Sequence, residues 1–135
     1  MAVSSDRPAK REAPPPPAPL APLIDAHTHL DACGARDAAD VAAIMDRAAA
    51  VGVQAAVTIA DDLESARWVT RAADWDPRVY AAVALHPTRA AALTDAARAE
   101  IEKLVAHPRV VAVGETGMDL YWPGRLDGCA EPAAQ

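Results

Sequence analysis

The chain has 135 residues, of which 52% are hydrophobic and 24% charged, and its formal net charge is −6 at pH 7. That length suits one ordinary domain, and the negative charge argues against a protein that holds nucleic acid through a broad basic surface. The two cysteines, Cys33 and Cys129, are too far apart in sequence for a disulfide framework or a clustered zinc motif, so we expect free thiols in a reducing cytoplasm.

The N-terminal 22 residues contain seven of the twelve prolines. This composition is typical of an extended polyproline segment, and we predict a disordered, proline-rich leader over residues 1–22. No apolar segment follows its basic residues, and the chain has no run of ~20 apolar residues of the kind that spans a bilayer. The sequence therefore predicts neither a secretory signal nor a membrane contact.

From residue 23 onward, short apolar runs alternate with segments of helical periodicity. The first run predicts a strand over 23–26, and the next segment predicts a helix over 37–51 with Gly52 as its stop. The remaining predicted elements are strands over 53–59, 79–85 and 110–113, a helix capped by Asp61 or Asp62 that ends before Pro77, and a helix from Thr94 through Ala106. Much of the hydrophobic content is alanine, which predicts a thin core.

Alternating strands and helices predict a parallel sheet with right-handed crossovers, as either an open doubly wound sheet or a closed barrel. No Gly-x-Gly-x-x-Gly follows the first strand, which weakens a dinucleotide-binding interpretation. Instead, polar residues follow the carboxyl ends of the strands, where barrel enzymes place their catalytic groups. We therefore predict an α/β fold of the (β/α)8 TIM-barrel type. Such a barrel needs about 250 residues, so we expect its first four strand-helix units, a half-barrel.

Three of these polar residues form a candidate metal site. His27 and His29 alternate along an extended segment, so their side chains point the same way, and Glu115 follows the fourth strand in a glycine-flanked turn. Two histidines and one glutamate can hold a catalytic divalent metal and leave a position for water. We therefore predict His27, His29 and Glu115 as metal ligands.

Three segments, residues 24–31, 84–87 and 113–122, resemble the TatD-type metal-dependent deoxyribonucleases in order and spacing. The resemblance covers the chain from about residue 22 onward. It implies the N-terminal half of a barrel enzyme, over 23–135, that hydrolyses phosphodiester bonds of DNA, with single-stranded DNA cleaved from the 3′ end as the expected substrate. It also implies two divalent ions per complete site, Mg, Mn or Zn, with Glu115 as the catalytic residue that bridges them.

Other residues near the strand ends have both a functional and a structural interpretation. His86 would contact substrate or support a ligand, or simply end a strand, and Asp25 would orient a histidine or fix the strand backbone. Asp119 is a candidate residue of the rim. Asp61 and Asp62 are expected to cap a helix in preference to binding metal. His107 is expected to lie at a helix end, where it interacts favourably with the helix dipole. The three tryptophans, Trp68, Trp75 and Trp122, are expected to pack.

The residues alone leave two other functions possible. An amidohydrolase or deaminase also uses a His-x-His after its first strand, although the segment around Glu115 disfavours it. A non-catalytic remnant would bind one metal loosely. Because a four-stranded half exposes two strand edges and an apolar face, we also expect self-association through that open face.

Overall fold

The computed structural model describes residues 14–19, 21–125 and 127–132. Its elements follow the chain as β1 (Leu23–Thr28), α1 (Ala38–Ala49), β2 (Val53–Ile59), α2 (Leu63–Trp75), β3 (Val79–Ala82), a 3₁₀ helix (Pro87–Ala92), α3 (Asp95–Val105) and β4 (Val110–Ala112). The strands form one parallel sheet in the order β1-β2-β3-β4. The predicted alternation is confirmed, and the sheet is consistent with half of a barrel. Residues 1–13 and 20 of the predicted leader lie outside the described residues, so its disorder stays a prediction.

Each α-helix begins at a side chain that accepts hydrogen bonds from the first-turn amides. Asp37 caps α1, Asp62 caps α2 together with Ser65, and Thr94 caps α3. The turn after α1 needs Gly52, whose φ is +99° and whose missing Cβ would lie 2.7 Å from the carbonyl oxygen of Ala21. The caps predicted at Asp62 and Thr94 and the stop at Gly52 are confirmed.

Three of the strand boundaries differ from the prediction. Strand β1 continues to Thr28, which pairs with Thr58 of β2, so His27 lies within the strand instead of beyond it. Strands β3 and β4 end earlier, at Ala82 and Ala112, and their mutual register shifts between Ala81 and Ala82. The 3₁₀ helix was not predicted. It starts at Pro87, directly after His86.

The helices cover one face of the sheet and leave the other open. Neighbouring helices contact each other and their strands, so all three lie on the same side. Eleven of the eighteen buried hydrophobic residues that the structure describes are alanines, which confirms the thin core. On the other side, Ile24, which pairs with Ala55 of β2, is 69% exposed. The rim above that open face holds the candidate site.

Candidate metal centre

His27, His29 and Glu115 come together at the carboxyl ends of the strands. One ligand atom from each lies within 4.8 Å of the other two, and His27 Nε2 is 3.2 Å from Glu115 Oε2. The two histidines belong to β1 and its end, and the glutamate follows β4, at opposite edges of the sheet. Strands three places apart in a flat sheet would lie roughly 14 Å apart, so curvature must bring these side chains together.

The ring of His29 is oriented by the neighbouring strand. Its Nδ1 lies 3.0 Å from the carbonyl oxygen of Ile59, at the end of β2. A carbonyl oxygen accepts, so Nδ1 carries the proton and donates it there, which leaves the Nε2 lone pair available. Metal-binding histidines commonly donate their second ring nitrogen to a backbone carbonyl in this way. Leu30, which is 2% exposed, anchors the following backbone through a bond from its amide to Thr58 Oγ1.

The carboxylate of Glu115 lies between two histidines. Its Oε2 faces His27, and its Oε1 is 3.5 Å from Nε2 of His86, which also lies 3.8 Å from Oδ2 of Asp119. His86 follows β3, so it reaches the cluster from inside the sheet, and its side chain is 15% exposed. The structure therefore brings His86 to the candidate ligands while keeping it outside the group of three.

Thr88 determines which nitrogen of neutral His86 carries the proton. The Thr88 amide donates a hydrogen bond to His86 Nδ1 at 3.2 Å, and Thr88 Oγ1 lies 2.8 Å from the same nitrogen. An amide can only donate, so Nδ1 accepts and the proton lies on Nε2. His86 therefore presents an N–H toward the cluster, where it can donate to an anionic oxygen.

The other rim residues divide between backbone and site contacts. Asp25 accepts a bond from the His27 amide at 3.1 Å, which is the backbone-fixing alternative. Asp119 accepts bonds from the amides of Tyr121 and Trp122, so it shapes the loop while its second oxygen faces His86. Asp61 lies 4.0 Å from His29 Nδ1 and does not cap α2, a task that belongs to Asp62.

The tryptophans separate into two groups. Trp68 and Trp75 meet edge to face with ring centroids 5.8 Å apart and pack against the core, as expected. Trp122 was expected to pack, and this was wrong: it is 44% exposed on a loop beside the site. Its loop is fixed by hydrogen bonds that the amides of Tyr121 and Trp122 donate to Asp119, and not by an apolar environment. Sequence reasoning also passed over Thr88, whose signal was a hydroxyl residue two positions after His86 and following a proline.

The electrostatic shifts that the structure resolves belong to ion pairs on the helical side, away from the cluster. Hydrogen bonds from Arg78 hold the pKa of Asp76 below its usual range, and Arg67 does the same for the pKa of Glu100. His107, expected to meet a helix end, lies 3.3 Å from Asp74 of α2. These pairs stabilise the scaffold and leave the rim to the candidate ligands.

No helix of the described residues is both long enough and apolar enough to cross a bilayer. The sequence profile described as TatD related DNase matches residues 24–127. A protein of Mycobacterium tuberculosis named uncharacterized metal-dependent hydrolase TatD is 80% identical over 113 residues, which are 84% of this chain and 43% of that protein. The 3′-5′ ssDNA/RNA exonuclease TatD of Musicola paradisiaca is 36% identical over 57% of this chain and 30% of its own length.

The fold has a solved counterpart in the crystal structure of YJJV, a TatD homolog from Escherichia coli K12. The TM-score is 0.64 at 32% identity, over 73% of this chain and 38% of that one. The chain thus spans less than half of the relatives it matches.

Proposed function

Because this chain belongs to the family of TatD-related DNases, we propose that it supplies the first half of the catalytic barrel of a metal-dependent phosphodiesterase. The proposed substrate is single-stranded DNA, cleaved from the 3′ end. The exonuclease named for the Musicola relative supports this choice of substrate class. The observation that carries the proposal is the cluster of His27, His29 and Glu115 at the rim.

The donor set fits a divalent cation. Imidazole nitrogen and carboxylate oxygen suit Mn²⁺ and Zn²⁺, and a carboxylate also suits Mg²⁺. A histidine that binds a cation needs one ring nitrogen with a free lone pair. His29 has one, because its Nδ1 donates to the carbonyl of Ile59 and leaves Nε2 available. His27, His29 and Glu115 would hold the first ion, and Glu115 would also face the second ion of a complete site.

Glu115 and the neighbouring His86 would have separate roles in the hydrolysis of a phosphodiester. A bound divalent cation supplies Lewis acidity and makes water acidic enough to react near neutral pH. Glu115 accepts a hydrogen from the attacking water and orients it toward phosphorus. His86 donates its Nε2 proton in a hydrogen bond to a non-bridging phosphate oxygen, which stabilises the charge that develops there. The attacking water gives one proton to Glu115 as its oxygen bonds to phosphorus, the bond from phosphorus to the leaving oxygen breaks, and the leaving oxygen takes up that proton.

The surroundings fit a protein of a reducing compartment. Cys33 and Cys129 are both free thiols in the structure, and persistent free thiols are typical of the cytoplasm.

The open sheet face would be covered in the working enzyme by further barrel strands or by a second protein chain.

The experiment compares hydrolysis of single-stranded DNA by the wild-type protein with Mn²⁺, with Mg²⁺ and with a chelator. We expect metal-dependent release of nucleotides, and we expect His27→Ala to lower both metal affinity and rate by about 100-fold or more. His107→Ala is the matched control, because that histidine pairs with Asp74 on the helical side. DNA that stays intact with every metal, together with metal binding that His27→Ala leaves unchanged, would contradict the proposal.

A further inference from the structure

A second feature of the rim is a cavity of about 230 Å³ that adjoins the candidate metal centre. Its lining combines an aromatic ring, a cation and three polar side chains, which are Trp122, Arg89, Asp61, His86 and Thr88. Small-molecule sites commonly pair an apolar or aromatic surface with a few placed polar groups. The composition therefore suits a ligand with a flat ring and an anionic group.

The cavity is continuous with the cluster through two of its lining residues. Asp61 Oδ1 lies 4.0 Å from His29 Nδ1, and His86 Nε2 lies 3.5 Å from Glu115 Oε1. A group that occupies the cavity therefore lies next to whatever His27, His29 and Glu115 hold. In a nucleic-acid strand, that neighbour is the adjoining nucleotide.

Trp122 is exposed and held in place at the same time. Asp119 Oδ1 accepts hydrogen bonds from the amides of Tyr121 at 2.6 Å and Trp122 at 3.2 Å. The two aromatic rings meet edge to face with centroids 4.9 Å apart, and Arg125 covers the Tyr121 ring. An indole fixed in this way loses little conformational freedom when a base stacks on it.

Arg89 supplies positive charge to the same cavity. It is half-buried, and among the residues that the structure describes its guanidinium has no hydrogen-bond or ion-pair partner. By contrast, Arg67 is committed to Glu100 and Arg78 to Asp76. The five planar N–H donors of an uncommitted arginine match phosphate oxygens well.

We propose that this cavity binds the nucleotide beside the bond to be cleaved, with its base stacked on Trp122 and its phosphate against Arg89. The proposal rests on the proposed function, because it assigns the substrate position adjoining the metal centre. Such a position would favour single strands, since a base inside a duplex is stacked on both faces and offers neither to an indole.

The test measures binding of short single-stranded DNA with hydrolysis-resistant phosphorothioate linkages to the full 135-residue chain in the presence of Mn²⁺. Two otherwise identical strands are compared, one complete and one abasic at a single terminal position. We expect Trp122→Ala to weaken binding of the complete strand by about tenfold and to leave binding of the abasic strand unchanged. Trp122→Phe should keep most of the affinity, because a benzene ring still stacks.

Arg89→Ala should weaken both strands equally, by about five- to tenfold, because it removes a phosphate contact that does not depend on the base. Arg89→Lys should restore part of the loss. Arg98→Ala, which removes an exposed arginine from α3, is the matched control and should change neither strand. The complete strand should quench tryptophan fluorescence of the wild type. This quenching should disappear in Trp122→Phe, since the remaining Trp68 and Trp75 lie against the core.

The outcomes separate this inference from the function on which it rests. A wild-type chain that binds no oligonucleotide with Mn²⁺ overturns this inference, while the hydrolysis and metal-binding experiment above decides separately on the nuclease assignment. If the wild type binds the complete strand but Trp122→Ala weakens both strands alike, or neither, the stacking position is wrong and the nuclease assignment stands. If Arg89→Ala and the wild type bind the strands equally well, the proposed contact between Arg89 and the phosphate is wrong.

Discussion

The two faces of the sheet present opposite physical situations. The helical face buries Val41, Met45 and Val69, each no more than 1% exposed, against the strands. The open face leaves Ile24 more than half exposed, although it is a β-branched residue of the kind that strands normally bury. The comparison teaches that the fold is stabilised from one side, while the candidate chemistry lies at the edge of the other.

This one-sided support is unequal along the rim. His27 and Glu115 come from β1 and β4, which lie at the two edges of the sheet, whereas His86 follows the central strand β3. The geometry of the edge ligands therefore depends on sheet curvature, which strands added at either edge would reinforce. His86 and its Thr88 contact are supported by the structure already present.

The largest effect expected is on the helical face. Met45→Ala should lower the free energy of unfolding by about 3 kcal/mol, because it leaves a cavity in a core with few large side chains. Ile24→Ala removes a comparable side chain from the open face and should change it by about 0.5 kcal/mol or less. Urea unfolding followed by circular dichroism measures both.

The same pair of variants sharpens the comparison in a longer protein that covers the open face. There Ile24→Ala should become nearly as destabilising as Met45→Ala. Equal costs in the 135-residue chain alone would show that the face is already covered, for example by a second copy.

The ion pair between Asp76, directly after α2, and Arg78 should give the next largest effect on stability. Asp76 is 4% exposed and takes two hydrogen bonds from the Arg78 guanidinium, one at 2.9 Å and one at 2.6 Å. Asp76→Asn should lower the free energy of unfolding by about 2 kcal/mol at pH 7. Asp46→Asn is the control, because Asp46 bonds the same arginine from an exposed position and should contribute little.

The pH dependence of this pair has a defined sign. Arg78 lowers the pKa of folded Asp76, so the unfolded chain takes up its proton at higher pH than the folded chain does. The stabilisation is complete above the unfolded pKa of about 3.9 and is lost as the pH falls through the lower folded value. The stability difference between wild type and Asp76→Asn should therefore shrink below pH of about 4. A difference that is constant down to pH of about 2 would contradict the ion-pair explanation.

At the rim, Thr88 is a positioning residue for His86, and its effect should be smaller. Thr88→Val keeps the shape but removes the hydroxyl that lies 2.8 Å from His86 Nδ1. We expect kcat on DNA to fall by about tenfold with little change in KM or in stability, because the histidine loses orientation. Thr88→Ser should recover most of the rate. Failure of that rescue would indicate a packing role instead.

The smallest expected effect concerns association of the isolated chain through its open face. Wild type should elute from size-exclusion chromatography as a concentration-dependent dimer or larger species, since its apolar sheet face is exposed. Ile24→Ser should shift this equilibrium several-fold toward monomer, whereas Val105→Ser on α3 should not. A cooperatively folded wild-type monomer at micromolar concentration would contradict self-association.

Much of the fold could be predicted because its signals are local. Helical spacing and short side-chain caps determine where α1, α2 and α3 lie, and continuous apolar runs mark the four strands. The grouping of His27, His29 and Glu115 also followed from position, because carboxyl ends of parallel strands meet at one rim.

The remaining features depend on contacts between distant residues. The 3₁₀ helix forms where Thr88 bonds back to His86, and β3 shifts its register against β4 between Ala81 and Ala82. Neither leaves a periodic pattern in the sequence. The exposure of Trp122 follows from the Asp119 loop, whereas hydrophobicity alone predicts burial.

The predominance of alanine in the core has a thermal consequence. Burying alanine removes no side-chain rotamers, so such a core forms at a low entropic cost, but each residue also hides little apolar area. Since the heat capacity of unfolding follows the apolar area exposed, this chain should have an increment below the usual value of about 12–15 cal/mol/K per residue. Its stability curve should accordingly be broad and flat, with folding that changes little between cool and warm conditions.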